Sequence, residues 1–397
     1  MKTKLIAVSL FALTGMAVML YPELGNPSKG PVTRPSPVSA AAAPRVEVVF
    51  VLDTTGSMGG LIQTAKEKIW SIATTMASAQ PAPEIRMGLV AYRDRGDDYV
   101  TRVTDLSEDL DSVYATLMDY RAQGGGDTPE SVNAALAAAI DQVSWSQEPD
   151  TYRVVFLVGD APPHMDYQDE APYPEVVARA QQRGIVVNTI RCGDSPVTER
   201  AWREIASLAQ GDYFTVAQAG GGVAIATPYD AELASLSAAL DGTRLFFGDE
   251  QARSRAASKV AATDKLHAEA TDASLARRAA FNTSSSGEAN QFGELDLVAS
   301  LAAGKVKLDE LPEGTLPLEM QPMTPDEREA HVVRQAGDRA TLQKRIRELS
   351  DQRDEYLAKQ ADSVEGLTES LDYQLFESVR AQASEKGLSY DAPAPKL

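Results

Sequence analysis

Between residues 46 and 246, short apolar runs alternate with segments of helical spacing, and this alternation most limits what the chain can fold into. The run at 46–52 (VEVVFVL) is apolar almost throughout, as expected for a strand that is covered on both faces. Further strands are predicted at 85–92, 99–103, 153–158, 185–190 and 213–216. Helices are predicted at 56–79, 107–120, 129–143, 174–183, 198–209 and 229–240. The pattern predicts an α/β fold, a doubly wound and mostly parallel sheet with helices on both faces.

The strand signals fade after residue 247, and residues 252–397 are predicted to form a mainly helical C-terminal region. The sequence TPDE at 324–327 is a strong helix start, because it places Thr at the N-cap, Pro at the first position and Glu three residues after the Thr. The helix that follows carries a narrow apolar seam, which Arg353 interrupts. The seam consists of Leu342, Ile346, Leu349 and Tyr356. We interpret it as packing on the chain's own domain rather than as a dimeric coiled coil.

Residues 1–21 combine two lysines with an apolar run at 5–20. This pattern is typical of a secretory signal, and the run is slightly short for a membrane-spanning helix. A cleaved signal peptide and a retained membrane anchor both stay open. Residues 22–44 are rich in Pro and Ala, which predicts a linker without a fold of its own. We therefore expect an exported protein, periplasmic or extracellular, either free or anchored to the inner membrane by this segment.

The overall charge and the cysteine content exclude several classes of function. The chain has 38 Lys and Arg against 57 Asp and Glu, a net charge of −19, which argues against nucleic acid as the main partner. Its one cysteine, Cys192, excludes an internal disulfide and any Cys-based metal cluster, and it is predicted to be a buried, inert thiol. The three histidines lie far apart in the sequence, and His164 is predicted to lie in an exposed loop.

Small oxygen-bearing side chains follow the predicted strands at three places: directly after the first strand, in a glycine-rich loop, and directly after the strand at 153–158. The five residues are Asp53, Thr55, Ser57, Thr128 and Asp160. Each alone has an ordinary explanation, since Thr and Ser are frequent helix N-caps and Asp is frequent in turns. Together, at the edge where open α/β sheets bind ligands, they supply two carboxylates and three hydroxyls. Such a hard oxygen site suits Mg²⁺ or Mn²⁺.

The spacing Asp53-x-Thr55-x-Ser57, followed by Thr128 and Asp160 in these strand contexts, resembles the metal-ion-dependent adhesion site (MIDAS) of von Willebrand factor type A domains. The phrases VFVLDTTGSM, GGGDTPES and VFLVGDAPPH resemble those of bacterial members, and the resemblance covers residues 46–246. It implies that Thr55, Ser57 and Thr128 contact the ion and that Asp53 and Asp160 often act through water. It also implies an open coordination position for a carboxylate from a protein partner. Thr55 stands where Ser is commoner, and its hydroxyl serves equally well.

We therefore expect a non-catalytic protein that binds an acidic group of a partner through the ion. One alternative is a metal-assisted hydrolase. Asp127 or Glu130 would then act in catalysis, although both fit equally well as acidic residues at a helix N-terminus. A second alternative is a metal-regulated assembly or scaffold protein that acts through its C-terminal helices. The sequence gives no oligomeric state.

Two loops beside the predicted site, 93–98 and 161–173, are expected to be solvated, and the alternative is that they shape the choice of partner. The first loop contains Arg95-Gly96-Asp97, a tripeptide that some adhesion receptors recognise. We interpret this tripeptide as a coincidence, because short motifs recur by chance in a chain of this length.

Overall fold

A six-stranded sheet forms the centre of the computed structural model, which describes residues 43–126, 128–216, 226–361 and 370–390. The strands, numbered along the chain, are β1 Arg45–Asp53, β2 Glu84–Tyr92, β3 Thr101–Ser107, β4 Tyr152–Gly159, β5 Ile185–Cys192 and β6 Tyr213–Val216. Their spatial order is β3-β2-β1-β4-β5-β6, and all neighbours pair in parallel except β2 and β3. The predicted mostly parallel sheet is confirmed.

Alternate residues of β1 belong to two separate hydrophobic cores. Val48 and Phe50 lie in one buried cluster, whereas Val49 and Val51 lie in the other. Successive side chains of a strand point to opposite faces of the sheet, so a central strand that is covered on both faces must be apolar at nearly every position. This requirement explains the continuous apolar run that the sequence shows.

Helices cover both faces of the sheet, as predicted. In chain order the described helices are α1 Leu61–Ala77, α2 Leu110–Asp119, α3 Val132–Asp141, α4 Tyr173–Gln182, α5 Pro196–Leu208, α6 Asp230–Asp241, α7 Glu250–Glu269, α8 Asp272–Asn282, α9 Glu288–Phe292, α10 Leu297–Ala302, α11 Pro325–Ala361 and α12 Leu371–Ser384. Helices α1, α2 and α12 contribute side chains to the cluster that contains Phe50. Helices α3, α4 and α5 contribute to the cluster that contains Val51.

The order of the strands places the ends of β1 and β4 side by side. Strand β1 has β2 on one side and β4 on the other, and Leu52 lies opposite Val158 in the β1–β4 pair. Asp53 follows Leu52 directly, and Asp160 follows Val158 by two positions. Both residues therefore lie at the same edge of the sheet. This is the point where the strand order reverses, which is where open α/β sheets bind their ligands.

Three helices begin at least three residues later than the sequence predicts. The helix predicted from residue 56 begins at Leu61, because a 3₁₀ turn at Gly56–Gly60 precedes it. The predicted start of α2 at Ser107 is wrong, because Ser107 still pairs with Met87 as the last residue of β3. Asp109 caps α2 instead, and its carboxylate accepts a hydrogen bond from the backbone N–H of Ser112 at 3.3 Å. The helix predicted from residue 129 begins at Val132.

The long helix α11 starts and packs as predicted. At its start the Thr324 backbone N–H donates to the Glu327 carboxylate at 2.8 Å, and the Glu327 N–H donates back to the Thr324 hydroxyl at 3.4 Å. This is a capping box. In the seam, Ile346 and Leu349 are buried in a cluster with residues of α6 and α8. Arg353, which interrupts the seam, binds Asp230 with an N–O distance of 2.7 Å.

The described residues from Ala43 onward form one compact unit. Helices on both sides of the predicted boundary between 246 and 252 belong to it, and the boundary itself stays a prediction. The signal peptide or anchor predicted at 1–21, and the linker predicted at 22–44 up to residue 42, lie outside the described residues. Within the described part of the chain, no helix combines the length and the apolar character that crossing a membrane requires.

Candidate metal centre

The first loop of the candidate centre is organised by Asp53, the last residue of β1. Its side chain is fully buried, and its Oδ1 atom accepts hydrogen bonds from the Thr55 backbone N–H at 2.9 Å and the Thr55 hydroxyl at 2.6 Å. Thr55 occupies the N-cap position of a short 3₁₀ turn, Gly56–Gly60, but its side chain caps nothing there. The alternative explanation of Thr55 as an ordinary cap is therefore wrong, since its hydroxyl is held by a carboxylate instead.

A continuous run of side-chain oxygens links this loop to the end of β4. The Thr55 hydroxyl lies 3.1 Å from the Ser57 hydroxyl, which donates to the Asp160 carboxylate at 2.9 Å. Asp53, Thr55, Ser57 and Asp160 therefore meet around one centre, although Asp160 lies more than a hundred residues further along the chain. This is the convergence that the predicted site requires.

The glycine-rich loop reaches the same place through backbone pairing with the first loop. The Gln123 N–H donates to the Thr54 carbonyl and the Gly56 N–H donates to the Gly124 carbonyl, both at 3.0 Å. The loop thereby brings Thr128 to a cavity of about 280 Å³. The described residues that line this cavity are Thr55, Ser57, Gly124, Gly125, Gly126, Thr128, Glu130, Asp160 and Ala161.

Thr128 does not cap a helix. Helix α3 begins only at Val132, and Ser131 occupies its N-cap position. The alternative explanation of Thr128 and Pro129 as a cap pair is therefore wrong, and the exposed Thr128 faces the cavity. Four of the five predicted residues line this cavity, and the fifth, Asp53, accepts a hydrogen bond from the hydroxyl of Thr55, which lines it.

The carboxylates of this region are poorly solvated. Burial raises the pKa of Asp53 to about 7, against the opposing hydrogen bonds from Thr55, and the nearby Asp160 carboxylate raises it further. The second oxygen of Asp53, Oδ2, is buried and has no hydrogen-bond partner among the described residues. Burying an ionised carboxylate without a compensating positive charge is costly.

Glu130, for which the sequence leaves catalysis and a place at a helix N-terminus open, is a buried member of the cavity wall. Only 3% of Glu130 is exposed, and burial raises its pKa to about 9, with the carboxylates of Asp53 and Asp94 adding to the rise. The sequence contains one signal that could have identified it. Glu130 follows Thr128 by two positions in the loop that approaches the site, before the helix begins.

The residues present fit a hard divalent cation. They offer hydroxyl and carboxylate oxygens, no sulfur or nitrogen lines the cavity from a described side chain, and a buried carboxylate oxygen stands without a partner. No described group of three or more His, Cys, Asp or Glu side chains is arranged to hold a metal. Any ion would therefore depend on the hydroxyls of Thr55, Ser57 and Thr128 as well as on carboxylates. The role of the five residues as ligands stays a prediction.

The two loops beside the cavity are largely exposed, as expected, with the side chains of Asp98 at 78% and Asp169 at 73%, but they also pack against each other. The Arg95 guanidinium binds Asp169 at 2.8 Å and Glu170 at 2.7 Å, and it lies 3.9 Å from the centre of the Tyr167 ring. The Tyr167 ring stacks on His164 at 4.0 Å. These contacts join residues that are more than seventy positions apart, which a single sequence does not reveal.

His164 is buried rather than exposed, so its prediction as a surface histidine is wrong. Its Nδ1 atom lies 2.8 Å from the Asp166 carboxylate, and its Nε2 atom lies 3.3 Å from that of Asp94. The loop is held in place because the His164 backbone N–H also donates to the Glu130 carbonyl at 3.1 Å. Cys192 is buried, as predicted, and burial raises the pKa of its thiol, which keeps it protonated.

The tripeptide Arg95-Gly96-Asp97 has internal partners. The Asp97 carboxylate accepts a hydrogen bond from the Gly125 N–H at 3.0 Å, and Arg95 binds the facing loop. Gly125 has a φ of +77°, a conformation that favours glycine. The Asp97 side chain therefore supports the glycine-rich loop.

Comparison with known proteins gives the family. Residues 47–228 match the family model described as the von Willebrand factor A domain. These residues form a von Willebrand factor A (VWA) domain. The predicted fold class and the resemblance to this family are confirmed.

The matches to curated relatives cover only a small part of each relative's length. The VWA domain-containing protein 7 of Homo sapiens is 33% identical over 186 residues, which cover 46% of this chain and 19% of that protein. A putative ariadne-like RING finger protein of Acanthamoeba polyphaga mimivirus is 29% identical over 119 residues, which cover 30% of this chain and 11% of that protein. The chain thus matches less than a fifth of either relative.

Solved structures are also similar to part of this chain. The SpRpn10 VWA domain has a TM-score of 0.34 at 14% identity, and the match covers 46% of this chain and all of that one. Proximal thread matrix protein 1 from the mussel byssus, with a zinc-occupied MIDAS motif, has a TM-score of 0.35 at 16% identity. That match covers 44% of this chain and 42% of the mussel protein.

Proposed function

We propose that the VWA domain binds Mg²⁺ or Mn²⁺ at the candidate centre and captures a carboxylate of a protein partner there, without catalysing a reaction. One observation carries this proposal. The oxygens of Asp53, Thr55, Ser57 and Asp160 meet at one edge of the sheet, beside a cavity that Thr128 also lines. VWA domains bind a divalent metal at a MIDAS and generally mediate protein–protein interaction, which supports the same function.

The charge of each side chain determines what it would contribute to binding the ion. Thr55, Ser57 and Thr128 would hold the ion with neutral oxygens, while Asp53 and Asp160 would balance its charge. A bound divalent ion supplies an electrophilic centre that attracts an anionic group. Because the hydroxyls add no negative charge, this pairing leaves the centre attractive to a third carboxylate.

The cellular location is part of the proposal. The lysines and the apolar run within residues 1–21 support export to the periplasm or the cell exterior, with this segment either removed or kept as a membrane anchor. The net charge of −19 supports a protein partner rather than a nucleic acid.

The lack of catalysis is also proposed. Among the described residues, no His, Lys or Cys side chain lines the cavity, and the neighbouring His164 is held between Asp94 and Asp166 away from it. The described ionisable side chains that do line the cavity are those of Glu130 and Asp160, so a hydrolase would have to use one of these carboxylates as its general base. Turnover of a generic phosphoester or acyl ester by the wild-type protein, and its loss in Asp53→Ala, would support a metal-assisted hydrolase instead.

The first test measures metal binding directly. Wild-type protein and two variants, Asp53→Ala and Asp141→Ala, are titrated with Mn²⁺, and free Mn²⁺ is followed by its electron paramagnetic resonance signal. Asp141 ends α3, pairs with Arg179 at 2.8 Å on the surface and does not line the cavity, so its variant is the matched control. We expect Asp53→Ala to lose Mn²⁺ binding while its circular dichroism spectrum is unchanged, and Asp141→Ala to bind as the wild type does.

The second test measures capture of a carboxylate. Immobilised peptides that contain Asp or Glu are compared with otherwise identical peptides that contain Asn or Gln, with Mg²⁺ or with excess chelator. The proposal requires binding that needs both the ion and the carboxylate and that disappears in Asp53→Ala. Undiminished binding in chelator, or equal binding of the amide peptides, would contradict it.

A further inference from the structure

A second cavity, of about 560 Å³, lies beside the candidate centre, between the edge strand β3 and the end of helix α2. Gln123 lines this second cavity, and the next residue, Gly124, lines the cavity of the centre. The Gln123 N–H also donates to the carbonyl of Thr54, within the first loop of the centre. We call the second cavity the arginine pocket, because the residues that line it include Arg93, Arg102 and Arg121.

The guanidinium of Arg102 is held in place without using its N–H donors. It lies 4.0 Å from the centre of the Tyr99 ring, and the Tyr99 hydroxyl is anchored 2.6 Å from the hydroxyl of Thr54. Arg102 is exposed, and it makes no hydrogen bond or ion pair with any residue that the structure describes. All of its N–H groups are therefore available to an acceptor that enters the pocket.

Arg93 connects the arginine pocket to the first loop of the centre. Only 5% of Arg93 is exposed, and its guanidinium donates to the Thr54 carbonyl at 3.2 Å and to the Arg121 carbonyl at 3.0 Å. Its third nitrogen, Nη1, lies 3.6 Å from the Asp98 carboxylate, which is too far for a hydrogen bond. Arg93 is thus fixed by backbone carbonyls, and one of its nitrogens has only a long contact with an exposed carboxylate.

Positive charge outweighs negative charge in the arginine pocket. Two largely exposed carboxylates, those of Asp98 and Asp119, also line it, and Asp119 is already paired with Lys265 at 2.5 Å. Neither Arg102 nor Arg121 forms an ion pair with a carboxylate in the described part of the chain. Because the whole chain carries a net charge of −19, uncompensated arginines in one pocket make a local site for an anion.

We propose that the arginine pocket binds a second acidic side chain of the protein partner whose first carboxylate binds the ion. This inference rests on the proposed function and specifies the chemistry of the partner, which must present two acidic groups close together. A guanidinium can bind a carboxylate through two parallel N–H···O bonds, so Arg102 suits this ligand. Complementary charge at the pocket also selects the correct partner against the repulsion between two acidic proteins.

The test compares peptides that carry a single Glu with peptides that carry a second Glu at a series of spacings from the first, all with Mg²⁺. In the wild type we expect the second Glu to strengthen binding by about fivefold at the best spacing, and less at high salt. Arg102→Gln should remove this gain and leave binding of the single-Glu peptide unchanged. Arg102→Lys keeps the charge but not the planar guanidinium, so it should retain part of the gain.

Arg347→Gln is the matched control. Arg347 is an exposed arginine of α11 that lines neither cavity and has no ion pair among the described residues, so its variant should keep the whole gain. Mn²⁺ binding, followed by the resonance signal of the free ion, should be equal in the wild type and all three variants, which also shows that they are folded.

Two results would overturn this inference and leave the proposed metal capture standing. One is a second Glu that adds nothing in the wild type at any spacing, and the other is an equal gain in Arg102→Gln. A wild type that does not bind the single-Glu peptide would contradict the proposed capture, and this inference with it.

Discussion

The glycine that ends β4 sets how closely two side chains of the centre can approach each other. A Cβ atom at Gly159 would collide with the Tyr92 hydroxyl and lie 3.0 Å from the Cβ atom of Asp53. Both of those side chains are fully buried, so neither can move aside freely. The orientation of Asp53, and through it that of Thr55, therefore depends on the absence of a side chain at this position.

We expect Gly159→Ala to lower the free energy of unfolding by about 1–3 kcal/mol, since a methyl group must be forced into a filled space. The displaced Asp53 should also reduce the rise in melting temperature that Mn²⁺ produces. Differential scanning calorimetry with and without Mn²⁺ measures both effects.

Gly314→Ala is the control for this substitution. Gly314 does not line the cavity, and a Cβ atom added there would have no neighbour within 4 Å. Its unfolding and its response to Mn²⁺ should match those of the wild type. If Gly159→Ala behaved as Gly314→Ala does, the close approach of Tyr92 and Asp53 would not matter for the centre.

At the scale of single residues, the sequence predicts some members of the centre and misses others for a physical reason. Asp53, Thr55 and Ser57 alternate directly after an apolar strand, so their convergence follows from local spacing. Glu130 and His164 are buried only because loops distant in sequence pack together. A single sequence shows the residue types but not that packing, so it predicts an exposed loop for His164 and leaves Glu130 open between catalysis and a place at a helix N-terminus.

One arginine connects three helices in the interior of the protein. The guanidinium of Arg278, in α8, is fully buried. It binds the carboxylate of Asp111 in α2 at 2.6 Å and that of Asp241 in α6 at 2.9 Å. The link joins a helix that packs on the sheet to helices of the C-terminal half.

Replacing this arginine should strongly destabilise the helix packing. We expect Arg278→Met to lower the free energy of unfolding by about 3–5 kcal/mol, because it leaves two buried carboxylates without their main partner. Urea unfolding followed by circular dichroism measures the change.

Arg345→Met is the matched control at the surface. Its pair with Glu232 is also short, at 2.7 Å, but both side chains are about half exposed, at 45% and 51%. The loss should be no more than about 1 kcal/mol. Equal losses in the two variants would show that burial does not determine the strength of these pairs.

At the scale of elements, hydrophobic spacing predicts that a helix exists but not what it packs against. The seam of α11 was assigned to the chain's own fold, and Ile346 and Leu349 do pack there. The spacing does not show that α6 and α8 supply the other side. It also gives no sign that Arg278 of α8 faces inward, since a charged residue in a helix normally indicates the solvent side.

Taken as a whole, the molecule depends on carboxylates that must stay ionised in its interior. Burial alone would raise the pKa of Asp241, but Arg278, His267 and Arg244 hold it below its ordinary value. Burial opposes ionisation of Asp111 too, and Arg278 and Lys259 lower its pKa. The folded protein therefore resists protonation of these two groups more than the unfolded chain does.

We expect the free energy of unfolding to fall as the pH drops below about 4, near the ordinary Asp value of 3.8. Above that value the stabilisation from these two carboxylates is complete. Below it the unfolded chain takes up protons that the folded protein still excludes, so the stabilisation is lost as the pH falls toward the lowered pKa values of Asp241 and Asp111. Urea unfolding from about pH 4 to about pH 2 measures the loss, because at higher pH the raised pKa values of Asp53 and Glu130 change the stability in the opposite direction. The loss should be smaller in Arg278→Met, because Asp111 and Asp241 then lack the main cause of their lowered pKa. An equal loss in the variant and the wild type would show that other groups cause the acid sensitivity.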